Sequence, residues 1–209
     1  LEADLDNRDS LKVQSAETVS LYGTTINNSG VMYAGTAELD VDTDFVNSGI
    51  VSIAPGQTFG SYGTGFTNEL SCDIQMDLDA VLDIGSTTFT SAVGFTIDSS
   101  LSVYVDGSGL TNPSVTIAGD LTVGAGGTVE VLSNTVTVDS LINHGDFSLD
   151  VAHVVGPVDN QGWFGALVGG NSVTGDIYSA NNSTIEVSEP GAELTVNGNL
   201  TNDATVRLY

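Results

Sequence analysis

Basic side chains are almost missing from this chain. Of 209 residues only Arg8, Lys12 and Arg207 are Lys or Arg, against 27 Asp and Glu, giving a formal net charge of −24. Binding to DNA, RNA or anionic lipid depends on Lys and Arg neutralising phosphates, so such ligands are very poor partners here. Surface ion pairs can add little, because most carboxylates have no cation to meet. Backbone ladders and an apolar interior must supply the stability.

Cysteine is nearly absent too. Cys72 is single, which excludes an intrachain disulfide. It lies on the apolar parity of Leu70-x-Cys72-x-Ile74-x-Met76-x-Leu78, which predicts a small core residue rather than a reactive thiol. No apolar run reaches the roughly 18 residues that a membrane-spanning helix needs. No 3.6-residue apolar pattern is long enough to propose a helix. A start at Leu1 without Met or a signal segment fits a processed or excerpted chain. Low Lys with abundant Gly, Asn, Thr and Ser points to an exported, extracellular microbial protein.

What is present is a phrase that keeps returning: apolar–x–Asn–x–small–x–apolar. It reads Ile26-Asn27-Asn28-Ser29-Gly30-Val31-Met32, then Phe45-Val46-Asn47-Ser48-Gly49-Ile50-Val51. Further copies centre on Asn143, Asn160 and Asn202, with looser ones at Asn68, Asn112 and Ser91 and a degraded one at Asn182. Most steps between markers are close to 20 residues, and such a period marks a solenoid. The longest step, Asn112 to Asn143, is either one coil with an insertion or two tight coils meeting at Val123-Gly124-Ala125-Gly126-Gly127. Upstream of most markers lies a second alternating run, such as Leu39-x-Val41 or Val136-x-Val138. Each unit therefore reads as strand, turn, strand, turn.

The apolar residues, Asn and Gly of the phrase share parity, so an extended chain turns them to one face. A buried amide is costly unless bonded, and a stack of Asn side chains bonds itself rung to rung. Asn28, Asn47, Asn68, Asn112, Asn143, Asn160 and Asn202 are therefore expected to form a ladder at equivalent corners. The expected fold is all-β, a right-handed parallel β-helix of coils of about 20 residues. Residues 1–18 read as an N-terminal strand or cap region and 19–209 as the repeat domain. A pair of β-sandwich domains would suit the length, but sandwich strands give no reason for Asn at one register throughout.

The stretch Leu194-Thr-Val-Asn-Gly-Asn-Leu-Thr-Asn-Asp-Ala-Thr-Val-Arg-Leu208 resembles the coils of secreted bacterial β-helix proteins of the adhesin and autotransporter-passenger style. That resemblance implies the cell surface and leaves the ligand open.

Candidate chemistry is sparse. Asp40, Asp42 and Asp44 alternate with Val41 and Thr43, which predicts three carboxylates on one strand face. Asp73, Asp77 and Asp79 are read the same way. Oxygen-only ligands suit Ca²⁺, so the first triplet is the candidate metal site, against a solvated acidic face that gathers cations diffusely. A carbohydrate-active enzyme would need paired carboxylates across a cleft or a basic residue, and the repeat region holds no Lys or Arg. His144 and Asp146 are the nearest acid–base pair and read as solvated loop residues; no enzyme signature survives. Thr88-x-Thr90 and Thr135-x-Thr137 do not recur at the repeat period that an ice-binding face requires.

Leu194 to Tyr209 reads as a full coil with nothing polar or helical to cover it, and all three cations lie near the two ends. Unlike ends that meet head to tail generate open filaments. The functional expectation is a self-assembling structural subunit of a surface filament, sheath or matrix fibre. The alternatives are an adhesin segment that binds glycans and, third, a β-helix enzyme.

Overall fold

A computed structural model describes residues 4–14, 17–70, 72–97, 102–110 and 113–209. They form an all-β parallel solenoid of about nine turns of about 21 residues, as the repeat predicts. No helix occurs among the described residues, and their strand pairings are parallel from Leu5↔Ile26 at one end to Ile185↔Val206 at the other.

Each coil has three strands, one more than the alternation suggested. In one coil these are Thr25–Asn28, Val31–Ala34 and Leu39–Val41. The phrase itself spans the first two: the chain bends at Ser29-Gly30 while inward parity is kept, so Ile26, Asn28 and Met32 are all buried. The third strands form a ten-stranded sheet from Val19–Leu21 to Thr205–Leu208. Second strands make a separate four-stranded sheet that ends at Asp73–Met76. Beyond it, first and second strands run together in Ser114–Val123 and Thr135–Asn143, with the register shifting between Ile117 and Asp120.

The interior is built of like residues stacked on like. Phe45, Phe66 and Phe89 occupy one register, with ring centroids 4.9 Å and 4.8 Å apart. Phe147 and Phe164 stack at 5.6 Å with an interplanar angle of 7°. All five rings are fully buried, and each such contact contributes about 0.5–1.5 kcal/mol beyond area burial.

Residues 1–18 supply an ordinary first coil: Leu5–Asn7 and Ser10–Val13 pair with the next coil in the same registers as later strands.

Two departures from the sequence reading have simple causes. Leu70 and Leu78, expected on the core parity, are 78% and 61% exposed because the strand covers only Asp73–Met76 and both leucines lie in flanking turns. Cys72 is half-buried rather than a core residue, and its Sγ lies against the Glu69 carbonyl. Burial pushes its thiol pKa up, opposed by backbone hydrogen bonding and reinforced by Asp73 and Glu69.

Candidate functional surfaces

The Asn ladder is the best-ordered polar feature. Asn7 Nδ2 donates to Asn28 Oδ1 at 2.7 Å, Asn28 to Asn47 at 2.7 Å, and Asn47 to Asn68 at 2.8 Å. Asn68 then donates to Ser91 Oγ at 3.2 Å, so Ser takes an Asn rung as its phrase suggested. A second run begins with Asn143 donating to Asn160 Oδ1 at 2.8 Å, and Asn160 to Ser179 Oγ at 3.1 Å. Asn7, Asn28, Asn143 and Asn160 each spend their other N–H on a carbonyl of the next coil, that of Val31, Ile50, Trp163 and Thr184 respectively. In every case that carbonyl opens the strand after the bend.

The two runs do not share a corner, which corrects the expectation of equivalent positions. Asn7 to Ser91 end first strands, and their register continues into Ile117 and Val138. Asn143, Asn160 and Asn202 end second strands, in register with Val123 and Ile97 below them. The glycine-rich Gly124–Gly127 is the bend after Val123, so Val123 stands where Asn143 stands one coil later. The physical demand is the same at both corners: an inward amide followed by a narrow bend. Asn112 lies outside the described residues. Asn182 occupies a turn at φ 74° and is no rung. Asn7 escaped the sequence reading because Arg8-Asp9 replaces the usual small residues of the bend.

The Asp40–Asp42–Asp44 alternation crosses a corner. Asp40 lies in the third strand Leu39–Val41, whereas Asp44 opens the first strand Asp44–Asn47 of the next coil. Their carboxylates therefore serve different sheets: Thr64 donates to Asp44, and Asp40 sits over Gly60 beside Tyr62. Asp73 to Asp79 is likewise broken, with Asp79 in a turn at φ 57°. Among the described residues no three His, Cys, Asp or Glu side chains converge as a metal-binding group. His144 and Asp146 are both exposed, and His153 Nδ1 lies 2.8 Å from Ser172 Oγ.

The outer face of the ten-stranded sheet carries two aromatic–carboxylate pairs that the sequence did not single out. Tyr62 covers the Cα positions of Gly60 and Gly85, and its hydroxyl donates to Asp83 Oδ2 at 2.9 Å. Trp163 lies over Gly165, with Nε1 donating to Glu186 Oε2 at 3.3 Å. Glycine leaves the space into which each ring folds. The x-Gly-x-aromatic and aromatic-x-Gly spacings, Gly60-x-Tyr62 and Trp163-x-Gly165, were the available signal.

Carboxylates crowd the first pair. Burial, and then Glu38, Asp42 and Asp83, push Asp40 up to about 6. Its Oδ1 is buried with no hydrogen-bond partner. Asp83 is also raised, chiefly by burial, against the lowering effect of the Tyr62 hydroxyl. An unfolded Asp titrates near 3.9, so between about pH 4 and 6 the folded state holds a proton that the unfolded state releases. Stability therefore falls as pH rises through that window and stays lower above it. After discounting for solvent screening, Asp40 accounts for about 1–2 kcal/mol. Asp40→Asn should raise the melting temperature at pH 7.5 by roughly 2–6 °C and change it little at pH 4. Equal shifts at both pH values in thermal melts would show that the carboxylate charge is not the cause.

The outermost coil, Glu193–Leu208, shows an open cross-section. Leu200 and Val206 are 50% and 46% exposed, although their register partners Ile177 and Ile185 are buried. At the opposite face Leu5, Leu11 and Val19 are half-buried against the core. Arg8 pairs with Asp6 at 2.5 Å, and Arg207 with Glu186 at 3.6 Å. Comparison of the chain with protein-family models, curated proteins and solved structures finds no match.

Proposed function

We propose that the protein is an extracellular structural subunit that assembles head to tail through its two coil faces into a surface filament, sheath or matrix fibre. The observation that carries this is the open coil Glu193–Leu208. Its inward-facing Leu200, Val206 and Leu208 are 50%, 46% and 76% exposed, in registers that are apolar throughout the solenoid below them. Exposed strand edges beside apolar residues are templates for further strands. A second copy offers what is needed, three parallel-pairing strands and an apolar cross-section of the same construction. Heterologous contact between unlike faces propagates as an open filament when the rotation does not close. The acidic flanks, with few cations to cross-pair them, oppose side-by-side aggregation and so favour growth along the axis.

Negative-stain electron microscopy and light scattering of the protein at increasing concentration test this. Rods many subunits long are expected, and Val206→Glu with Leu200→Lys should reduce them to single particles. A monodisperse monomer at high concentration, with salt and with Ca²⁺ added, would remove the proposal.

A second reading, glycan binding, is favoured by one observation: Trp163 and Tyr62 lie over glycines on an open sheet with Glu186 and Asp83 at their polar edges. An aromatic ring beside a hydrogen-bonding carboxylate suits the apolar face and hydroxyls of a sugar. Loss of glycan-array binding in Trp163→Ala would support it.

A further inference from the structure

We propose that successive copies stack advanced by one strand, roughly a third of a turn for a three-stranded coil, so that Asn202 of one copy continues the ladder into Asn7 of the next. This rests on the head-to-tail assembly above and adds its register.

Three observations converge on it. The outer coil reads Leu200-Thr201-Asn202-Asp203-Ala204-Thr205-Val206-Arg207-Leu208, and the opposite face reads Leu5-Asp6-Asn7-Arg8-Asp9-Ser10-Leu11-Lys12-Val13. Both are a three-residue strand, an Asn-led bend and a four-residue strand: Leu200–Asn202 with Thr205–Leu208, and Leu5–Asn7 with Ser10–Val13. The two segments correspond as neighbouring coils of this solenoid do. Yet the first pair of strands belongs to the second and third positions of its coil, and the other to the first and second. Only a one-strand advance superimposes them.

The ladder has the polarity to be joined there. Each rung donates its Nδ2 to the coil that follows, and among the described residues nothing donates to Asn7 Oδ1. At the other face Asn202 Nδ2 turns back on Ala204 O of its own coil at 3.1 Å, where other rungs reach a carbonyl of the next coil. In the advanced register Asn202 donates to Asn7 Oδ1 and to the Ser10 carbonyl, the first of the following strand. That repeats the bonding of Asn28, Asn143 and Asn160.

The strand starts match as well. Asp4 Oδ1 accepts the Thr24 N–H at 2.7 Å, and Asp176 Oδ1 accepts the Asn199 N–H at 2.8 Å. Asp4 precedes Leu5–Asn7 as Asp176 precedes Ile177–Ser179, which lies in register with Leu200–Asn202. The same local device therefore opens the strands that the advance superimposes.

Stacking without the advance sets the end of one second strand on the end of another, Asn202 against Val13. That buries an amide beside a methyl surface, with neither ladder end satisfied. The advance brings Arg8 over Asp203, and its cost is Lys12 beside Arg207. That repulsion is exposed, screened by salt and offset by Glu186, so it weighs less than an unsatisfied buried amide.

Disulfide trapping reads the register. In a Cys72→Ser background, Asp6→Cys with Thr201→Cys places thiols on directly neighbouring exposed strands. Parallel neighbours are about 4.8 Å apart, within the Cα span of a disulfide. Asp6 and Thr201 lie at opposite faces of one molecule, so any such bond joins two copies. Under oxidation this pair should give covalent ladders on a non-reducing gel, at least several-fold stronger than Lys12→Cys with Thr201→Cys, the pair that stacking without the advance would link. Preferential or equal linkage through Lys12→Cys overturns the advanced register while head-to-tail assembly stands. Filaments with no linkage through Asp6→Cys overturn it too. No linkage in either pair and no assembly by light scattering overturn both.

Discussion

Asn47→Leu should lower stability by about 3–5 kcal/mol, seen as a fall in melting temperature of roughly 8–15 °C. Asn47 is fully buried, accepts from Asn28 and donates to Asn68, so its loss breaks two bonds at once. Asn28 keeps its bond to the Ile50 carbonyl, but Asn68 Oδ1 is left buried without a donor. A buried acceptor without a partner costs about 1–3 kcal/mol in addition to the net bonds lost. Asn47→Ser is the informative companion, because Ser91 already serves as a rung at 3.2 Å. It should recover about half of the loss. If Leu and Ser cost the same, packing volume rather than hydrogen bonding governs the site. Half of a solenoid can unzip while the other half stays folded, so a two-step melt in Asn47→Leu would also place the damage in the first ladder.

How far the sequence could be read follows from what its phrase encodes. Inward parity and the need of a buried amide for partners are local properties, and they named Asn28, Asn47, Asn68, Asn143 and Asn160 correctly as rungs. Which corner each rung occupies is not local. A bend after a first strand and a bend after a second strand ask for the same residues, so the change of corner between Ser91 and Asn143 leaves no mark in the phrase. It does leave one elsewhere: Gly119, Gly156 and Gly175 sit at φ 140°, 139° and 147°, where the old Asn corner has opened into a glycine kink. The acidic triplet failed for the complementary reason. Alternation in Asp40-x-Asp42-x-Asp44 is a one-dimensional pattern, and a corner at Asp42-Thr43 divides it between two sheets. Tyr62 and Trp163 were legible only as aromatics near glycine, since Gly60 and Gly165 acquire meaning once register sets the ring over the glycine.

Gly49→Ala should be as damaging as the loss of an Asn rung, about 3–5 kcal/mol, although it adds one methyl group. The cause is close approach rather than backbone angle, for Gly49 does not adopt a positive φ. A Cβ there would lie inside the contact radius of the Gly30 carbonyl oxygen and 2.9 Å from Gly30 N. That carbonyl is already committed, accepting the Ile50 N–H at 2.8 Å. Relief would need the two coils to separate, and separation stretches the Asn28–Asn47 bond in the same layer. Gly30, Gly145 and Gly162 meet the coil below them in the same way, at both kinds of corner. The narrow bend and the ladder are thus one device: the amides can bond only where glycine lets consecutive coils close to strand spacing. Gly170→Ala is the control, since nothing lies within 4 Å of its Cβ position and its φ is not positive. It should leave stability unchanged to within about 0.5 kcal/mol or raise it slightly. Paired denaturant titrations would show this contrast; equal effects at Gly49 and Gly170 would mean that the coils have slack at the corner and that glycine is not what sets their spacing.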